Sequence, residues 1–219
     1  MRLVTYEAAN AVHVGAVLGD SVVALQPALD AARREAGEAP LALPADMRGL
    51  LGAGEAALVE AARALAYAAR PENAALRTPL AGLRLRAPLM PGKILGVGRN
   101  YADHAKEVGG PKLAAPRIFL KPTSSVSGPG DTVRIPRAAL KPDWEVELAV
   151  VIGKPAWQVS EGQALDHVAG YTVLNDLTDR ALQFDHPIGM TRFGKGLAGF
   201  CPTGPWIAPP GAAAGPWAR

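Results

Sequence analysis

The stretch that most constrains this chain is Lys141 to Gly153, KPDWEVELAVVIG. Alternation over Glu145–Ile152, followed by a Gly-Lys-Pro break, reads as a β-strand. Val146, Leu148, Val150 and Ile152 share one face. Glu145, Glu147, Ala149 and Val151 share the other, because strand side chains alternate. Two carboxylates are thus same-side neighbours about 7 Å apart. The strand is otherwise so apolar that both faces are expected to be largely buried. Like charges brought together under partial burial are unfavourable unless something neutralises them, and a divalent cation does so economically. The competing reading is an edge strand with both glutamates in solvent. The apolar AVVIG continuation counts against it.

The totals narrow the function classes. A chain of 219 residues holds one large domain, or one domain plus a small one. With 49% hydrophobic and 20% charged residues it can bury a core and is not a disordered composition. A net charge of +3 with scattered Lys and Arg, and no basic run, argues against nucleic acid as a partner. The single cysteine, Cys201, excludes an internal disulfide and a cysteine-based zinc cluster. The first residues, MRLVTYEAAN, lack a signal-peptide apolar run, and no stretch approaches the ~20 apolar residues of a membrane span. A cytoplasmic protein is expected.

Residues 1–25 read as a small β-meander: Arg2–Tyr6, Val12–Leu18 and Ser21–Leu25, with Gly19-Asp20 as a tight turn. Helical spacing follows in Pro27–Ala36 and Gly54–Arg70, the latter with Leu58, Ala61, Ala62 and Leu65 on one face. A linker through Pro79 and Pro88 places a boundary near residue 85. The expected organisation is a small N-terminal part, 1–85, and a second part, 86–219. The second part opens with a strand over Lys93–Val97. The G-V-G-R-N-Y after it has Tyr101 where a dinucleotide loop needs its third glycine. From Asn100, a cap residue, a helical turn is expected, with His104 and Glu107 three apart on one face. A carboxylate beside an imidazole fixes its tautomer and raises its basicity, as a general base requires; an ordinary surface pair has the same spacing.

Strands are expected at Arg117–Lys121, Asp131–Ile135 and Val168–Leu174, and a short capped helix at Ser160–Asp166. The strand ending at Leu174 delivers Asp176, either a site carboxylate or a helix N-cap. Gly194-Lys195-Gly196 is expected in a glycine-rich loop. It misses the P-loop pattern, because Gly196 stands where Ser or Thr is required. Lys195 there either lies against a ligand or is solvated. Met190, Phe193 and Phe200 are expected to be packing residues, and His167 and His186 structural or solvated.

In order, these segments read N-Y-x-x-H-x-x-E, D-W-E-V-E-L-x-V-V-I-G, N-D-x-T-x-R-x-x-Q and G-K-G. That series resembles the fumarylacetoacetate hydrolase (FAH) family over about residues 93–207. DWEVELAVVIG with GKG and PTGPWI downstream is most similar to the bacterial 2,4-dioxo-acid and acylpyruvate hydrolase branch. The resemblance implies an α+β protein with a β-rich rolled mixed-sheet core behind the small N-terminal part. It implies Glu145, Glu147 and Asp176 as ligands of Mg²⁺ or Mn²⁺, with Ca²⁺ possible. Three carboxylates without His or Cys also favour such hard ions over zinc.

The resemblance further implies His104 with Glu107 as a water-activating dyad and Lys195 as a contact to substrate oxygen. Arg180, Gln183 and Tyr101 would lie near the substrate. A homodimer is implied too. The implied reaction is metal-assisted hydrolysis of a C–C bond in a 2,4-dioxo acid. Decarboxylase, hydratase, isomerase and ureidoglycolate lyase-type activities share the same chelated 2-oxo or 2-hydroxy acid. Family members continue for several dozen residues past the segment resembling Pro202–Ile207. The expectation is therefore a core lacking its C-terminal elements: a fragment, a shortened reading frame, an arrangement completed by a partner, or an inactive remnant.

Overall fold

A computed structural model describes residues 1–98, 100–101 and 115–211. It opens with β1 (Leu3–Ala8), β2 (Ala11–Leu18) and β3 (Ser21–Ala24). Two-residue turns join them. Gly19 adopts φ +57° in the second, while Ala9 and Asn10 adopt φ 48° and 60° in the first. Such turns need positive φ to match the strand twist, and Ala9 meets that need against its Cβ.

Helices α1 (Leu25–Glu35), α2 (Met47–Gly52) and α3 (Glu55–Ala68) follow. The six-residue α2 is an addition to the sequence reading; Asp46 caps it, its side chain accepting from the Gly49 N–H at 2.8 Å. The face that α3 buries is Ala61, Ala64 and Ala68, flanked by Leu58 and Leu65, whereas Ala62 is exposed. Small residues there let α3 pack closely against α1 and its buried Ala28, Leu29 and Ala32.

The remaining strands are β4 (Arg77–Pro79), β5 (Arg84–Leu85), β6 (Ile94–Gly98), β7 (Arg117–Lys121), β8 (Val126–Ser127), β9 (Pro142–Asp143), β10 (Val146–Ile152), β11 (Val168–Asn175), β12 (Thr178–Asp179) and β13 (Cys201–Ala208). Among the described residues the main sheet runs β10-β11-β13-β1-β2-β3-β4, with β5 on β1 and β8 on β13. Its pairings are antiparallel except β8 with β13. Strands from both sides of residue 85 therefore share one sheet. The β6–β7 and β9–β12 pairs form two separate two-stranded sheets. One core cluster joins Leu3, Val23, Leu29, Leu50 and Ile207 to the helices; a second, around Val4, Tyr6, Val17 and Val22, fills the opposite face. No helix among the described residues is long and apolar enough to cross a membrane.

Three local expectations are corrected. Asp131–Ile135 is not a strand: the Asp131 carboxylate accepts from the Gly128 N–H at 2.8 Å and closes a turn. Ser160 leads into a 3₁₀ helix, Glu161–His167, without a side-chain cap to the backbone. Most consequentially, β10 is not buried on both faces. Val146, Leu148, Val150 and Ile152 are between 50% and 69% exposed. Among the described residues this strand is outermost in its sheet and pairs only with β11, and an apolar pattern does not itself supply a layer to cover it.

Candidate metal centre

Pairing between β10 and β11 builds the acidic cluster. Val146 stands opposite Asn175 and Glu147 opposite Leu174, in antiparallel register. The ladder runs one residue past β10, where the Asp176 N–H donates to the Glu145 carbonyl at 2.7 Å. Asn175 locks the same corner, its Oδ1 accepting from the Glu145 N–H at 3.1 Å. Glu145 and Asp176 thus sit opposite each other, and Glu147 lies two residues along the same face. One carboxylate oxygen from each of the three lies within 4.8 Å of the others. The N-cap alternative for Asp176 is excluded. The capping role falls to Asp179, which accepts from the Leu182 N–H at 2.7 Å.

Three cations meet these carboxylates. Lys195 Nζ lies 2.9 Å from Glu145 Oε2 and 2.6 Å from Asp176 Oδ2. Arg180 reaches Glu145 Oε1 at 2.7 Å, and is itself held by Asp143 Oδ2 at 2.9 Å and Gln183 Oε1 at 2.9 Å. Lys121 Nζ lies 2.6 Å from Asp176 Oδ1. Glu147 is the exception: among the described residues no ion-pair or hydrogen-bond partner meets its side chain. Burial, with repulsion from Asp176 and then Glu145, pushes its carboxyl from 4.5 up to about 7.

Lys195 does not stand in an open loop, as its flanking glycines suggested. It ends the short helix Thr191–Lys195, is buried, and lies 5.3 Å from the Phe119 ring centroid. A Cβ on Gly196 would stand 2.8 Å from the Arg192 carbonyl and 3.0 Å from Pro122 Cδ, so glycine admits the close packing of this helix end. Phe200 is buried as expected, while Phe193 is 52% exposed. Tyr101 lines the cavity, and its phenol oxygen accepts from the Leu148 N–H at 2.9 Å. His104 and Glu107 lie outside the described residues.

Lys121 went unrecognised in the sequence. In β7, Phe119 and Lys121 turn inward, and Ile118 and Leu120 outward, 58% and 55% exposed. The available signal was a lysine in phase with the strand's aromatic residue. Arg117, also unanticipated, lines the same cavity of about 90 Å³ with Val97, Glu147, Arg180 and Gln183. A larger cleft of about 660 Å³ lies against the N-terminal sheet near Met47, Arg48, Arg86 and Met90. Its acids are committed to local structure, Asp46 as a helix cap and Asp131 in its turn. Convergent charge favours the smaller cavity as the chemical site.

A divalent cation fits this donor set. Three hard oxygens gathered within 4.8 Å suit one ion with ligand distances near 2.1–2.5 Å. Among the described residues Glu147 has no cation in direct contact, so that burial and the neighbouring carboxylates outweigh the more distant Lys195 and Lys121.

The model of the fumarylacetoacetate (FAA) hydrolase C-terminal domain matches residues 93–218. The chain belongs to the fumarylacetoacetate hydrolase family. A Burkholderia multivorans protein named "Putative hydrolase" is 51% identical over 116 residues, which are 53% of this chain and 41% of that protein. The maleylpyruvate hydrolase of Sphingobium sp. SYK-6, solved with manganese(II) and pyruvate, superposes with TM-score 0.69 at 29% identity, covering 96% of this chain and 67% of its own. The 5-carboxymethyl-2-hydroxymuconate delta-isomerase of Mycobacterium smegmatis gives TM-score 0.65 at 29% identity, covering 96% and 66%. The FAH fold is thus shared with solved hydrolases and isomerases, an α+β fold dominated by the large antiparallel sheet. The chain spans about two thirds of their lengths, and its match about two fifths of the Burkholderia protein.

Proposed function

We propose that this FAH-family chain carries the metal site of a hydrolase that cleaves a C–C bond in a 2,4-dioxo acid of the acylpyruvate type. The observation that carries the proposal is the convergence of Glu145, Glu147 and Asp176 within 4.8 Å beside Lys195 and Arg180. A divalent ion held by these three residues, Mg²⁺ or Mn²⁺ before Ca²⁺, would supply Lewis acidity toward the oxygens of a bound 2-oxo acid. The related hydrolase solved with manganese(II) and pyruvate supports both the ion and the substrate class.

The chain's own residues divide the remaining work. Arg180, held by Asp143 and Gln183, and Arg117 across the cavity offer guanidinium groups to the substrate carboxylates, with Tyr101 on the wall. His104, oriented by Glu107, takes a proton from water, and the resulting hydroxide adds to the C4 carbonyl. When the C3–C4 bond breaks, its electron pair passes through C3 to the C2 oxygen, giving the enolate of pyruvate and a carboxylic acid. Lys195 places its ammonium beside that developing negative charge. Protonation at C3 completes pyruvate.

An isomerase reading has its own support in the M. smegmatis neighbour. It uses the same residues to move a proton rather than add water. Acylpyruvates, oxaloacetate, ureidoglycolate and a 2-hydroxymuconate assayed with Mg²⁺ or Mn²⁺ test the proposal. Acylpyruvate hydrolysis supports it, isomerisation alone replaces it with the second reading, and no turnover with any of them contradicts both.

A cytoplasmic homodimer belongs to the same proposal. The exposed apolar face of β10 supports association, which sedimentation of Leu148→Glu against wild type tests. The division at residue 85 is proposed as well, and the family match beginning at residue 93 supports it.

A further inference from the structure

Lys121 ends β7 and is the most deeply buried of the site's three cations, with its side chain 1% exposed against 4% for Lys195 and 22% for Arg180. Its ammonium has three N–H donors, and three acceptors surround it. They are Asp176 Oδ1 at 2.6 Å, the Leu177 carbonyl oxygen at 3.3 Å and the Lys195 carbonyl oxygen. Among the described residues all three donors are taken, and a side chain 1% exposed gives a ligand almost no access. Lys121 is therefore not a catalytic residue.

What it holds is informative. The Asp176 carboxylate is divided between two ammonium groups, Oδ1 on Lys121 and Oδ2 on Lys195. The same Lys121 ammonium also grips the backbone of Lys195. A single buried group thus fixes both a carboxylate of the candidate metal centre and the chain segment that carries the neighbouring cation. It ties together three elements that do not pair as strands: the end of β7, the turn after β11 and the last residue of the Thr191–Lys195 helix. Pro122, directly after Lys121, packs against Gly196 and reinforces the joint.

We infer that Lys121 is a positioning residue that sets Lys195 against Asp176, and that its influence on a bound anion runs through Lys195. The inference rests on the metal-site reading proposed above. Because it concerns geometry and not turnover, it can be tested without the natural substrate. Oxalate, a planar dicarboxylate that chelates divalent ions as a 2-oxo acid does, is the probe. Its affinity for Mn²⁺-loaded protein is measured by calorimetry for wild type, Lys121→Met, Lys195→Ala and the double variant, with the Mn²⁺ EPR spectrum recorded for each.

Each single variant is expected to weaken oxalate about tenfold, and Lys121→Met to cost less than about twofold once Lys195 is already alanine. The EPR line shape of Mn²⁺ should change in Lys121→Met, since Asp176 loses the hold on Oδ1. Single losses that multiply in the double variant, or a Lys121→Met affinity within about twofold of wild type, overturn the inference. Should Lys121→Met fail to fold, Lys121→Gln, which keeps a donor, takes its place in the cycle. Failure of both to fold makes Lys121 a structural residue and overturns the inference equally. Wild type that binds no Mn²⁺ refutes the metal-site reading itself, whereas wild type that binds both probes while the cycle fails refutes only the role of Lys121.

Discussion

Replacing Glu147 by glutamine should stabilise the metal-free protein while destroying the site. Burial and two neighbouring carboxylates raise the Glu147 carboxyl from 4.5 to about 7. A gap of that size corresponds to about 3 kcal/mol of destabilisation above pH 7 for a carboxyl sealed from water. Glu147 is only half-buried, and solvent screening reduces the figure to about 1–2 kcal/mol. The sign follows from proton counting. The folded state binds the extra proton between pH 4.5 and about 7, so the stability it confers is full below 4.5 and lost as pH rises through about 7. The substituted amide is neutral throughout and can donate to a neighbouring carboxylate. In EDTA, melting curves of wild type and Glu147→Gln should coincide near pH 4.5 and separate by about 3–6 °C at pH 8, the variant melting higher. A variant melting at or below wild type at pH 8, or a gap independent of pH, would refute the electrostatic account of this strand.

Three further outcomes are expected. His104→Ala should retain Mn²⁺ affinity within about threefold yet lose 10²–10⁴-fold in turnover, whereas Glu147→Ala should lose both; calorimetry beside the hydrolysis assay separates them. Ala9→Gly should raise stability by about 0.5–1 kcal/mol, seen as a higher denaturant midpoint at unchanged slope, because glycine adopts the φ of 48° without strain. Burial raises the thiol of Cys201, so it should resist a chromogenic disulfide reagent at pH 8 in native protein and react fully in guanidinium.

The acidic cluster was legible in the sequence for a simple reason. Strand alternation alone puts Glu145 and Glu147 on one face; that Asp176 joins them was implied by the family resemblance, and the pairing of β10 with the strand ending at Asn175 brings it opposite. Tertiary cover was not legible. The run of Val146, Leu148, Val150 and Ile152 looks the same whether a second layer lies on it or not, and here it lies open at the sheet edge. Periodicity also gave no hint of α2, six residues long, or of Asp131, whose side chain closes a turn in place of extending a strand. Lys121 shows the deeper limit. A lone lysine ending the strand RIFLK carries no repeating signal, and its meaning arises only when segments far apart in sequence deliver Asp176 and the Lys195 carbonyl to its ammonium. The placement of Lys195 had the same difficulty: flanking glycines suggested an open loop, yet they allow a tightly packed helix end.

Mn²⁺ titration of the purified chain, followed by EPR of the free ion, tests the central claim most directly. One ion per chain should bind to wild type, and binding should vanish in Glu147→Ala and in Asp176→Ala. No binding to wild type, or binding that survives both substitutions, would contradict a metal centre built from these carboxylates.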